Sequence, residues 1–222
     1  MARWAPARKD TLGALADEIL HNYGRGRVIV AVDGEAGSGM AQFADDLAQA
    51  LHSKGHTTFR ASISDFHRPR AERSVLGVDS AAGLYRNTFD YSVFRRVLVE
   101  PFRMGGSAAF VTAAFDSGRD APIEPKWITG PDDAILLVDG IYLHRPEIRG
   151  LWNFSIWVDV PAPPAPPRHA EGSGDALSAA SAGPAVDAQR LYRSEAHPRR
   201  TATAILDNTD PEHPRRVFAD SC

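Results

Sequence analysis

Over residues 10–20 the apolar side chains Leu12, Leu15, Ile19 and Leu20 recur at helical spacing, which predicts an amphipathic helix buried along one face. The pattern then shortens. Residues 27–32 (RVIVAV) form a β-branched run closed by Asp33 and Gly34, the signature of a buried strand entering a turn. In residues 41–55 (AQFADDLAQALHSKG), Phe43, Leu47 and Leu51 fall four apart and Gly55 supplies a stop, so a second helix follows the turn. Further strands are predicted at 57–63, 108–116, 134–138, 154–160 and 201–206, with a helix over 91–102. Strands that alternate with helical segments imply an α/β fold, a parallel sheet covered on both faces. Residues 161–188 (PAPPAPPRHAEGSGDALSAASAGPAVDA) break this order. With almost no large apolar side chain they cannot build a core, and the pattern predicts a flexible insertion in an otherwise single domain over 1–222.

Composition narrows the functions available. At 222 residues and 43% hydrophobic content the chain can bury one sizeable core. No apolar run approaches the roughly 18 residues of a membrane span, and the amino terminus lacks a leader-like apolar stretch, so no membrane partner and a cytoplasmic location are expected. Cys222 is the one cysteine, which rules out an intrachain disulfide and a thiol-rich metal site. A net charge of −3 spread over mixed segments provides no basic stripe for nucleic acid.

The turn after the first predicted strand carries the most chemistry. In VDGEAGSGMAQ, residues 32–42, Gly34, Gly37, Ser38 and Gly39 match the skeleton G-x-x-x-x-G-K-S/T, in which glycines let backbone N–H groups converge on a phosphate at a helix N-terminus. The two side chains of that pattern are missing. Met40 stands where the lysine would contact the β and γ phosphates, and Ala41 where a hydroxyl would ligate magnesium. Lysine occurs only at Lys9, Lys54 and Lys126, so few are available to replace it, and nothing in the pattern brings Lys126 to the loop.

Read in order, this loop, SISDFHRPR, FDYSVFRRVLVEPF, TAAFD, AILLVDGIYLHRPEIRGLWNFSIWVDVP and QRLYRSEAHPRRTATAILDNTDPEHP resemble bacterial uridine kinase-like proteins of the P-loop kinase superfamily. The resemblance spans residues 10–216 apart from 161–188. It implies a P-loop NTPase fold of the nucleoside kinase type, a five-stranded parallel sheet with helices on both faces and a small arginine-bearing lid. It also implies a nucleotide or nucleoside ligand, with ATP and magnesium as cofactors and a nucleoside 5′-hydroxyl as acceptor if the chain is active.

Several departures from the family pattern fall at positions to which the resemblance assigns chemistry. Where the family has two consecutive acids, this chain has Ser64 and Asp65; the first acid resembles the general base, a task serine cannot perform at neutral pH, while Asp65 is retained. The following Phe66, His67 and Arg68, together with Asn87, Phe115 and Asp116, map onto the substrate cleft, where Asn87, Val111 and Ser117 replace an acid, an arginine and a histidine. In the lid, mostly alanine and proline here, Arg168, Arg190 and Arg193 are the nearest candidates for closing over phosphates. Asp139 ends a hydrophobic strand as a magnesium-holding acid or as a plain turn before Gly140, and Asn208 in DNTDP lies near the adenine or forms an Asx turn.

Other residues carry blander readings. His52 and His56 are solvated at a helix end, and Trp152 and Trp157 belong to the core. Three functions follow from these observations: a kinase-like protein with eroded catalytic motifs that retains nucleotide binding, an active ATP-dependent nucleoside kinase, or a non-catalytic scaffold.

Overall fold

The computed structural model describes residues 6–76, 80–160 and 183–218. Helix α1 (Arg8–Tyr23) leads into strand β1 (Val28–Gly34), followed by α2 (Met40–Ser53) and β2 (Thr58–Ser62). Short helices α3 (Arg70–Arg73) and α4 (Ala81–Asn87) precede a longer helical stretch built of α5 (Tyr91–Phe94), a π-helical turn and α6 (Glu100–Met104). A hairpin of β3 (Phe115–Asp116) and β4 (Ala121–Pro122) comes next, then β5 (Ile135–Gly140) and β6 (Phe154–Asp159). Helices α7 (Pro184–Ala196) and α8 (Pro198–Thr201) and strands β7 (Ala204–Asp207) and β8 (Arg215–Val217) complete the described chain.

The main sheet runs β2-β5-β1-β6-β7-β8. Its first five strands are parallel, as expected, and β8 adds an antiparallel edge that the short, charged RRV segment did not announce. Period-two alternation divides the core between the two faces. Val28, Val30 and Val32 of β1 point with Ile135, Leu137, Ile156 and Leu206 toward Leu12, Leu15 and Ile19 of α1 and Phe43, Leu47 and Leu51 of α2. Ile29 and Ala31 point the other way, with Leu136, Val138 and Trp157, into a layer containing Phe94, Leu98, Phe102, Tyr85 and Tyr192. Each fully buried large side chain contributes about 1.5–3 kcal/mol, so the central strands are the firmest part of the molecule.

The strand expected at 108–116 is not in this sheet. Phe110 makes an isolated antiparallel bridge to Ile128, and Phe115 and Asp116 pair only with β4. The reason lies partly in Pro101. Its ring nitrogen has no hydrogen to give the Val97 carbonyl, the helix opens into a π turn there, and Val111 N–H fills that carbonyl at 2.9 Å instead. Residues 184–188, expected to be flexible, are the first turn of α7, with Ala188 completely buried. Residues 161–182 of that predicted insertion, including Arg168, lie outside the described residues.

Candidate functional site

The C-terminal ends of β1 and β5 and the start of α2 meet where the glycine loop turns. Gly34 is required by crowding, because a Cβ there would collide with Ser38 Oγ and approach the Val158 carbonyl to 3.0 Å. Gly37 and Gly39 have φ of +86° and +81°, conformations that L side chains adopt with strain. Gly39 caps α2 from this left-handed position, and the side-chain amide of Asn208 donates to the Ser38 carbonyl at 2.8 Å. Asn208 therefore pins the loop from the β7 side. Its Oδ1 accepts no hydrogen bond among the described residues, so the residue forms no Asx turn.

Met40 and Ala41 open α2. The half-buried Met40 packs against both halves of the core, while Ala41 is exposed and brings no hydroxyl to the head of α2. Beside them lies a group that sequence patterns alone did not reveal. Arg60 on β2 donates through Nη2 to Asp139 Oδ1 at 2.8 Å and to the Ala41 carbonyl at 3.3 Å, and through Nε to Asp45 Oδ1 at 2.9 Å. Burial pushes the Asp139 carboxyl above its ordinary range, with Arg60 pulling it down and Asp45 pushing it up.

Asp33, wholly buried at the end of β1, is the second unforeseen centre. Its Oδ1 accepts the Gly34 N–H at 2.8 Å, and its Oδ2 accepts His144 N–H at 3.1 Å and the hydroxyl of Tyr192. His144 Nδ1 lies 2.7 Å from the same oxygen. Burial, then the Asp33 charge, holds the Tyr192 hydroxyl well above the usual phenol range, so it stays a donor. Tyr192 belongs to α7, and its neighbour Arg193 pairs with Glu35 of the loop at 3.1 Å. Helix α7 is thereby tied to both the root and the crest of the turn. Arg190 faces away into an exposed pair with Asp187.

Ser64 and Asp65 lie on a single 3-10 turn after β2. The Asp65 carbonyl accepts from Ala114, and the Ser64 carbonyl faces His67 Nδ1 at 2.5 Å. His67 is buried against Phe89, and Phe66 is a core residue packed edge-on to Phe94. Arg68 lies 3.4 Å from Glu72 and 4.0 Å from Asp90, and Asn87 donates to the Glu72 carbonyl. Phe115 is buried in the small hairpin, where the Asp116 carboxylate accepts from the backbone of Gly118 and Arg119.

No family model matches the sequence, and no curated protein matches it at a significant level. Solved structures do. A protein described as a possible uridine kinase from Bacillus stearothermophilus superposes with a TM-score of 0.70, at 20% identity over 90% of this chain and 98% of that one. The chain has a P-loop kinase fold. A second such structure, provisionally described as a fructose transport system kinase from Silicibacter sp. TM1040, gives a TM-score of 0.55 at 25% identity, covering 68% of this chain and 75% of that one.

Magnesium, implied by the resemblance of the sequence, does not fit the donors of this glycine loop. Ala41 offers no side-chain oxygen, and Asp139 is already paired with Arg60. No helix among the described residues is long and apolar enough to cross a membrane.

Proposed function

We propose that the chain is a uridine kinase-like protein that binds a nucleotide through the backbone of its glycine loop and transfers phosphate weakly or not at all. The observation that carries this reading is the division within one loop. Its backbone is shaped for phosphate, with two left-handed glycines and a 14-residue helix opening at Gly39, while both side chains that would act on the phosphates are absent. Removing one preorganised electrostatic contact costs roughly 100- to 1000-fold in rate, and the chain lacks two such contacts as well as the acid that the family carries at position 64.

In this reading Gly34, Gly37, Ser38 and Gly39 hold the phosphates, Met40 and Ala41 mark the lost contacts, and Asn208 keeps the loop in shape. Asp65 is the carboxylate left to accept a proton from a nucleoside hydroxyl, with Ser64 beside it. His67, Arg68, Asn87 and Asp116 border the acceptor cleft, Phe66 and Phe115 support it from the core, and Arg193 joins lid helix to loop. ATP, when bound, supplies the γ-phosphoryl group of the family chemistry.

Titration calorimetry with ATP, followed by a phosphotransfer assay over a nucleoside panel, tests the proposal. The expected result is ATP binding with turnover at least about 100-fold below that of an intact kinase. Efficient turnover abolished by Asp65→Asn would establish an active kinase instead. Absence of ATP binding would leave the scaffold reading.

A further inference from the structure

The disagreement between the implied magnesium and the residues present has a structural cause in Arg60. Its guanidinium reaches across the head of α2, touching the carbonyl of Ala41, Asp45 one turn on and Asp139 at the tip of β5. Residue 41 and Asp139 are the two positions between which a P-loop cation would be held, one by a hydroxyl and the other through its carboxylate. Arg60 Nη1 is shielded from solvent and without a hydrogen-bond partner, so the guanidinium retains donor capacity that the protein does not use.

Charge makes the same point. Asp139 has a side chain only 9% exposed, and a carboxylate that buried requires a permanent counter-ion when no metal is held. Arginine provides one that stays protonated across the whole working pH range. A divalent cation approaching Asp139 would have to displace this partner and would meet Ala41 in place of a ligand.

Resting on the proposed nucleotide reading of the P-loop, we infer that Arg60 is a built-in substitute for the divalent cation, and that this chain binds nucleotide phosphate without magnesium. Arg60 acts as a positioning residue. It neutralises Asp139 and Asp45, which would otherwise repel the phosphates, and it holds the first turn of α2 against β5.

The test is ATP binding by calorimetry, in excess EDTA and in excess magnesium, for the wild type, Arg60→Met and Arg60→Met/Asp139→Asn. Wild-type affinity is expected to be no stronger in magnesium than in EDTA, since no cation site on the protein is open. Arg60→Met unmasks the carboxylates, so affinity in EDTA falls about tenfold or more and magnesium recovers it. Adding Asp139→Asn removes both the repulsion and the magnesium response.

A merely structural arginine would lower the melting temperature without creating a magnesium response. That result overturns the inference, as does wild-type binding that strengthens about tenfold with magnesium. In both cases ATP still binds and the nucleotide reading stands. Wild-type protein that binds ATP in neither condition overturns both. Thermal unfolding of the same variants verifies that each is folded, and Asp139→Asn is expected to restore part of the stability lost in Arg60→Met.

Discussion

Tyr192→Phe removes one oxygen from the centre of the molecule and leaves the ring in place. The ring packs against Tyr142 at 5.0 Å, Tyr85 at 5.8 Å and Trp157 at 6.3 Å, contacts that phenylalanine retains. What is lost is the hydroxyl that donates to Asp33 Oδ2 and accepts from the His144 backbone at 3.0 Å. The His144 N–H is not orphaned, because it also reaches Asp33 at 3.1 Å. The cost is therefore that of one hydrogen bond to a buried carboxylate, about 1.5–3 kcal/mol. For a chain of this length that corresponds to a fall of about 3–12 °C in melting temperature. Urea unfolding followed by circular dichroism should show a lower midpoint at unchanged slope. A loss below about 0.5 kcal/mol, the range of an ordinary surface change, would refute the view that Asp33 depends on Tyr192 for solvation inside the protein.

Other consequences can be measured in the same way. Asn208→Ala should cost about 1 kcal/mol and weaken ATP binding severalfold, because the Ser38 carbonyl loses its donor and the loop its peg; unchanged affinity would show that the loop holds its shape alone. Ala41→Thr by itself should leave ATP binding insensitive to magnesium, whereas Ala41→Thr/Arg60→Met should acquire a magnesium response, read by calorimetry. Glu147 accepts from Arg145, and this bond holds its carboxyl below the ordinary glutamate range. A depressed carboxylate stabilises the fold above its unfolded pKa and loses that contribution as pH falls through the folded one, so Glu147→Gln should flatten the acid limb of a stability–pH profile. Since Glu147 is half exposed, solvent screening keeps the change small.

The central strands were legible because burial on both faces leaves a continuous apolar run, as in VIVAV and ILLV, and the helix over 91–102 because its apolar spacing is regular. The glycine loop was legible too, since left-handed backbone at Gly37 and Gly39 restricts residue choice. Strand β8 was not: two arginines and a valine, all half-buried, are held by pairing to β7 and by Arg216 reaching Glu18 of α1, contacts from distant chain. Residues 108–116 look like a strand because Phe110, Val111 and Phe115 are buried, yet that burial comes from packing under a helix opened by Pro101. Arg60 sits on an edge strand whose pattern allows any long polar side chain, and only the fold shows which carboxylates it faces. Asp33 has the same difficulty, its partners being 111 and 159 residues away.

That last arrangement bears on how the chain can change over generations. Asp33, His144 and Tyr192 come from β1, the turn after β5 and α7, and each satisfies another where all three are buried. Losing the carboxylate alone strands a buried imidazole and a buried phenol, while losing either partner alone takes from the buried carboxylate one of its donors. Among descendants of this chain the three positions should therefore be inherited or exchanged as a set, so that an apolar residue at 33 arrives with apolar residues at 144 and 192, and intermediates with one of the three altered are short-lived lineages.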